Sequence, residues 1–254
     1  MFKPHETSET MARVHYDYNK GKPDIRNRFS GTAVLMANAP SLQDVPVEFL
    51  EKYPTIGTNN VYLYGMTDKE VAEYPNIEPK FYPTFYTIVG YNQVDTEEKR
   101  TYPKPLIEKA KYAFVNRVAY PAFDLPHVYG IHGISIATGQ RPHPKEKFSI
   151  DVLDSYGIGY TNTYVMFQIL YYLGFDEVLC VGLDNDYSAS EDRLHFYPND
   201  PRFAREPHMG RTAHQKGSNY VFNLANQAFK KNGKTIININ KKNNTPFEGR
   251  MPEW

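Results

Sequence analysis

Cysteine is almost missing from this chain: a single residue, Cys180, sits inside the apolar run EVLCVG. A disulfide within the chain is therefore excluded, which fits a reducing compartment. A lone thiol in such a run reads as a small buried hydrophobe. Charge of one sign is missing too. Twenty-nine basic and 29 acidic residues give a formal net charge of zero, so nothing global points to nucleic acid or to an acidic partner. No apolar run approaches the roughly 18 residues that a membrane-spanning helix needs. The N-terminal stretch MFKPHETSETMARVHYDYNKGKPD has no apolar core of a signal peptide. The expectation is a soluble cytoplasmic protein. Internal repeats and low-complexity segments are absent, as are the Gly-x-Gly-x-x-Gly dinucleotide fingerprint and the Gly-x-x-x-x-Gly-Lys-[Ser/Thr] phosphate loop.

What is present suits one large domain: 254 residues, 41% of them apolar, with 21 Tyr and 15 Phe. Tyrosine at this level serves amphipathic core and surface, or lines polar pockets. Residues 1–28 are polar and read as a lead-in arm. Residues 29–241 read as a single domain, and 242–254 as a surface tail. Strands are expected at TAVLMA, at Thr55–Gly57, around Phe85–Val89, in KYAFVNRVAY and in HVYGIHGIS. A short helix at best is expected in LQDVPVEFLEKYP. The clearest block is TNTYVMFQILYYLGFDEVLCVGLDNDY. Thr161 suits an N-cap, Val165–Leu173 is apolar nearly all round and so buried, Gly174 stops the helix, and Glu177–Val181 is a buried strand. Residues 188–216 are polar and read as a lid. An amphipathic helix is expected over Asn219–Lys231, carried by Tyr220, Val221, Leu224, Ala225, Ala228 and Phe229, with KTIININ as the last strand. Alternating strands and helices make the fold class α/β: a Rossmann-like, mostly parallel sheet with helices on both faces and a lid insertion before the last helix.

In such sheets ligands sit beyond the carboxyl ends of the strands, and the polar punctuation falls there. After the first strand comes Asn38-Ala39-Pro40-Ser41. Small residues let a ligand approach the backbone, Asn38 offers a donor and an acceptor, and N–H groups following Ser41 could hold phosphate if a helix starts there. The alternative is an ordinary turn. Asn59 and Asn60 follow the second strand and read either as ribose or base contacts or as a turn. Asp184-Asn185-Asp186 reads as a carboxylate pair, Asp184 and Asp186, for a divalent cation such as Mg²⁺ or Mn²⁺, or as loop aspartates. His214, expected just before the last helix, titrates near neutrality and suits a general base. Arg193, Arg202, Arg205, Arg211 and Lys216 could meet phosphates. Glu191, Asp192, Asp200 and Glu206 nearly balance them, as in a solvated loop. His127, His132 and His143 lack a metal-ligand spacing.

In their order, VLMANAPSL, IGTNN, the block from Thr161 to Tyr187 and His214 resemble the bacterial sialyltransferases of glycosyltransferase family 42. They also resemble the related domain of archaeal hydroxymethylpterin diphosphokinase-like proteins. The motifs there are Gly-Asn-Gly-Pro-Ser, an Asn after the next strand, Thr-Ser-Gly opening a buried helix, Gly-Ile-Asp, and a lid histidine. The resemblance spans roughly residues 30–240. It implies nucleotide contacts at Asn38, Ala39, Ser41, Asn59, Asn60, Thr161, Asn162, Gly182, Asp184 and Tyr187, and catalytic roles for His214 and Asp184. The chain departs from the pattern at Ala37 and Ala39, which replace glycines, and at Asn162, Thr163 and Leu183. Three functions follow as expectations. The first is a glycosyltransferase taking a nucleotide-sugar, of which a CMP-sugar is one form, with His214 as base on an acceptor hydroxyl. The second is a Mg²⁺-dependent diphosphokinase taking a nucleoside triphosphate to a hydroxymethyl group. The third is a non-catalytic nucleotide-binding module. The sequence does not name the acceptor, and it leaves a homo-oligomer open.

Overall fold

The computed structural model describes residues 18–90, 93–134, 146–187, 194–198, 202, 211–241 and 243–254. Among the described residues ten strands occur in chain order: β1 Thr32–Met36, β2 Thr55–Thr58, β3 Phe85–Ile88, β4 Tyr112–Asn116, β5 Val128–Ile131, β6 Gly133–Ile134, β7 Tyr156–Gly157, β8 Glu177–Val181, β9 Thr235–Ile239 and β10 Glu248–Arg250. The helices are α1 Val47–Leu50, α2 Asp68–Glu73, α3 Glu97–Thr101, α4 Lys104–Lys109, α5 Asn162–Leu173 and α6 Arg211–Lys231. Eight strands form one sheet in the order β10-β9-β8-β1-β2-β3-β4-β5, and every neighbouring pair is parallel. The fold is α/β and Rossmann-like. β6 and β7 make a separate two-stranded ribbon.

Parallel strands covered on both faces carry apolar side chains at successive positions rather than at every second one. β1 shows this: Ala33 and Leu35 face one core, Val34 and Met36 the other. α5 and α6 lie on the first face, which holds Phe167, Leu170, Phe222 and Phe229. The second face carries α2 and α4 with Val71, Leu106 and Ile107. In α5 nearly every residue is buried, including Gln168. Its amide is fully used: Oε1 accepts from the N–H of Ser149 and Gly157, and Nε2 donates to the carbonyls of Gly157 and Tyr164. The cap signals hold to the residue. Thr161 Oγ1 accepts from the N–H of Thr163, and Gly174 closes the helix at φ +107°. A side chain at Gly174 would meet the Phe29 carbonyl.

Other stretches differ from the sequence expectation. α6 begins at Arg211, not Asn219, so His214 lies inside the helix. At Gly217, inside this helix, the Tyr160 ring lies where a Cβ would be, 2.5 Å away; the glycine makes room for a ring. The buried face of α6 is Val221, Phe222, Ala225 and Phe229, while Tyr220 and Leu224 are half-buried. The stretch after 241 is more than a surface tail, because it supplies buried Phe247 and the edge strand β10. α2 was hidden from periodicity by its six residues, though Thr67 and Glu70 form a capping box. HVYGIHGIS divides between β5 and β6.

Residues 18–28, within the expected arm, are stitched to the sheet. The Asn19 amide bonds both the N–H and the carbonyl of Gly130 on edge strand β5, which covers part of that open edge. Lys22 donates to Leu125 O and Val128 O, and Ile25 is fully buried. Residues 1–17 lie outside the described residues.

Candidate functional site

Strands β1 to β5 run outward from β1 in one direction, and β8 to β10 run outward in the other. The strand order therefore reverses between β1 and β8. At such a reversal the following segments leave on opposite faces and open a crevice beyond the carboxyl ends. The residues at that crevice are those following Met36 and Val181.

The ladder continues past both strands: Ala37 N–H donates to Val181 O and Ala39 N–H to Gly182 O, at 2.9 and 3.0 Å. Gly182 has φ +63°, and a Cβ there would stand 2.6 Å from the Ala37 carbonyl. The need for glycine is met by β1 itself. A 3-10 turn, Pro40–Asp44, follows Ala39. From it Ser41 donates through N–H (3.2 Å) and through Oγ to the Asp184 carboxylate. Asn240, just past β9, donates to the same carboxylate at 2.7 Å.

On the other side of the reversal, Asn38 Nδ2 donates to Thr58 O at 3.2 Å. A backbone carbonyl can only accept, so the orientation of this amide is fixed. Its Oδ1 is buried and has no hydrogen-bond partner among the described residues. Asn59 has φ +52°, and its Oδ1 accepts from Asn162 Nδ2 at the first turn of α5. Tyr86 OH donates to Asn59 O at 2.7 Å. Asn38, Asn59, Thr161 and Asn162 thus gather where the ends of β1 and β2 meet the start of α5. Asn60 does not join them. It is buried, and its Oδ1 accepts from Tyr62 OH at 2.8 Å on the side of the second core.

His214 is half-buried in α6. Its ring is 4.8 Å from that of Tyr187 and 6.4 Å from that of Tyr160, edge-on to both. Burial holds its imidazole below the ordinary value of 6.5, which keeps it neutral and able to accept a proton at neutral pH. Burial also pushes the Tyr187 hydroxyl up to about 12, so it stays protonated.

Asp186 is half-buried. The expected pairing of Asp184 and Asp186 around a divalent cation fits poorly. Such a cation needs oxygen lone pairs, and the Asp184 carboxylate already gives most of its own, of which there are about four, to Ser41 and Asn240. Among the described residues no group of three His, Cys, Asp or Glu side chains could hold a metal ion. His127 bonds Ile107 O at 2.9 Å, and His143 lies outside the described residues. Arg202 caps the end of α2 through Tyr74 O and Val71 O, at 2.9 and 3.2 Å. Lys216 is exposed. Arg193, Arg205, Glu191, Asp192, Asp200 and Glu206 lie outside the described residues, as does the side chain of Arg211.

Sequence reasoning missed His195. Its ring bonds the Asn38 carbonyl and stacks on Tyr197 at 4.9 Å. Burial lowers its pKa, and the bond to Asn38 opposes that shift. Next to it, Phe196 N–H donates to Asn38 O, and Gln43 Nε2 donates to Phe196 O at 2.6 Å. These described residues of the connection between β8 and α6 therefore lie against the crevice. The asparagines Asn185, Asn238 and Asn244 were missed as well. Asn238 Nδ2 donates to Leu183 O and Asn244 Nδ2 to Asp184 O. The only sequence signal of Asn238 and Asn244 is the asparagine-rich string ININKKNN, and Asn185 stands between the two aspartates of Asp184-Asn185-Asp186.

No family model matches the chain, and no curated protein matches it in sequence. Among solved structures it is similar to the sialyltransferase CstII from Campylobacter jejuni, solved with the substrate analogue cytidine-5'-monophosphate. The TM-score is 0.46 at 12% identity, covering 87% of this chain and 85% of that one. Among the described residues no helix is long and apolar enough to cross a membrane.

Proposed function

We propose that this chain is a transferase of the glycosyltransferase kind, binding a nucleotide-activated donor in the crevice between β1 and β8. The observation that carries the reading is Asn38. At the strand reversal its Nδ2 is committed to Thr58 O, and its Oδ1 is left buried without a partner among the described residues. An acceptor in that state costs about 1–3 kcal/mol. A sugar hydroxyl or a base amino group of the donor supplies the missing hydrogen.

The nucleotide lies among Asn38, Ser41, Asn59 and Asn162, and its phosphate is turned toward Tyr187. His214 takes the proton of the acceptor hydroxyl as that oxygen bonds to the anomeric carbon. The bond from that carbon to the phosphate oxygen breaks, and the nucleotide leaves with the electron pair. Tyr187, still protonated at neutral pH, donates a hydrogen bond to the departing phosphate. No step passes through a metal. The competing diphosphokinase reading asks for cation ligation from Asp184, whose carboxylate already accepts from Ser41 N–H, Ser41 Oγ and Asn240 Nδ2.

The test is a thermal-shift and calorimetric panel of CMP, UDP, GDP, ADP and ATP, each with and without Mg²⁺. A ligand held by the folded state alone, at a hundred times its Kd, stabilises by about 2.7 kcal/mol. The expected result is stabilisation by CMP without metal. Stabilisation by ATP only with Mg²⁺ favours the diphosphokinase, and no response to any nucleotide ends the proposal. With a turned-over donor in hand, His214→Ala is expected to lose most turnover and keep nucleotide binding. Unchanged turnover removes His214 from the reaction, and binding without turnover of any donor by the wild type leaves a non-catalytic module.

A further inference from the structure

We infer that Asn185 is a positioning residue: it holds His214 and Tyr187 together by joining the loop after β8 to α6 and to the β9–β10 connection. The roles of those two rings rest on the function proposed above; the joint itself does not. Asn185 is 6% exposed and sits at φ +47°. Its Nδ2 donates to Asn219 Oδ1 at 2.9 Å and to Asn244 O at 3.0 Å. Its own carbonyl accepts from Gln215 Nε2 at 2.8 Å.

The placement of these partners gives the joint its use. Gln215 is the neighbour of His214, and Asn219 lies about one turn further along the same helix. Tyr187 is two residues beyond Asn185, and its ring reaches back to His214 at 4.8 Å. The path from one ring to the other thus runs through two short pieces of chain riveted at Asn185. The same loop carries Asp184, which is bonded to Ser41. One buried amide therefore ties the histidine on α6 to the β1 end of the crevice. A left-handed backbone alone would be served as well by glycine; the two donated hydrogen bonds need the amide.

That contrast supplies the experiment. In the full-length chain the ring resonances of His214, assigned through H214Q, are followed by proton–carbon NMR in the wild type, in Asn185→Gly and in Asn185→Ala. In the wild type the currents of the Tyr187 and Tyr160 rings displace them. Both variants are expected to move them toward the position of a free imidazole, while urea denaturation still shows a cooperative fold. If Asn185→Gly keeps the wild-type displacement, the residue serves only its backbone conformation and the inference is overturned. Should Asn185→Ala fail to fold, Gln215→Ala takes its place, since it removes one bond from a half-buried side chain. An intermediate displacement is expected there, and a wild-type one counts against the inference. CMP titrated into the wild type is read separately. No response there sinks the nucleotide proposal, while the role of Asn185 still stands or falls with the ring signals.

Discussion

The two sides of the strand reversal are finished to different degrees. On the β8–β9 side most polar groups satisfy one another, although Asn238 Oδ1 is buried with no partner among the described residues. Asp184 accepts from Ser41 and Asn240, Asn185 reaches Asn219 and Asn244, and Asn238 reaches Leu183 O. On the β1–β2 side the amide of Asn38 is oriented but not completed: it is anchored through nitrogen, and its oxygen is buried with no partner among the described residues. The same residue type therefore does two jobs on the two sides of one reversal. Asn238 is fully buried in β9 and belongs to the wall, whereas Asn38 is half-buried just past the end of β1, so its unpartnered oxygen is the one set at the crevice. Stability and ligand affinity should consequently separate across the reversal.

The largest break of that comparison is Asp184→Ala. It strips the acceptor from Ser41 and Asn240 together, and hydrogen bonds to a charged group are each worth about 1.5–3 kcal/mol. A loss of about 3 kcal/mol is expected, read as a lower urea midpoint at unchanged slope. A loss under about 0.5 kcal/mol would mean that the β8 side is not the structural one.

Gly217→Ala comes next and bears on how far the sequence could be read. Alanine is the better helix former by about 1 kcal/mol, yet its Cβ would fall 2.5 Å from the Tyr160 ring. Overpacking of this kind costs about 1–3 kcal/mol, so net destabilisation by about 1 kcal/mol is expected, with the His214 ring disturbed through Tyr160. Nothing near Gly217 in sequence announces this, because the reason for the glycine lies on the far side of β8. By contrast, α5 and β8 were legible to the residue, since Thr161 and Gly174 are local signals. The site divides the same way. Asn38, Ser41, Asn59, Asn162 and Asp184 follow strand ends or open a helix; Ser41 meets Asp184 on one side of the reversal, and Asn59 meets Asn162 on the other, where Asn38 bonds Thr58 O. Asn60 follows the positive φ of Asn59 and is buried, with its Oδ1 on Tyr62 OH and not beside Asn38 or Asn162. His195 and Asn185 were invisible, as their roles depend on Asn38 and on α6, both distant in sequence.

Acidification is a smaller and graded test. Burial holds His214 and His195 below 6.5 in the folded state. As pH falls from 7, the unfolded chain binds these protons first, so stability is expected to drop from about pH 6.5 downward until the folded histidines titrate. The drop is therefore a loss on the acid side, opposite in sign to that of a histidine paired with a carboxylate. His214→Gln should flatten the curve of melting temperature against pH between 7 and 5. An unchanged slope would mean that the imidazole is solvated and not enclosed by Tyr187 and Tyr160.

The smallest expected effect on stability is the most informative, because it belongs to the unfinished side. Asn38→Ala loses the bond to Thr58 O, worth about 1 kcal/mol, and also removes an unpaired buried acceptor that costs about as much. The two nearly cancel, so stability should change by less than about 0.5 kcal/mol. Nucleotide affinity should not be spared: losing one well-formed contact of about 1.4 kcal/mol is tenfold in Kd. Calorimetry with CMP on Asn38→Ala and on the wild type, beside urea curves for both, measures the two quantities. A variant that keeps its stability and loses its ligand marks Asn38 as an amide held ready for a donor hydrogen. One that loses stability as Asp184→Ala does would make the β1 side part of the wall.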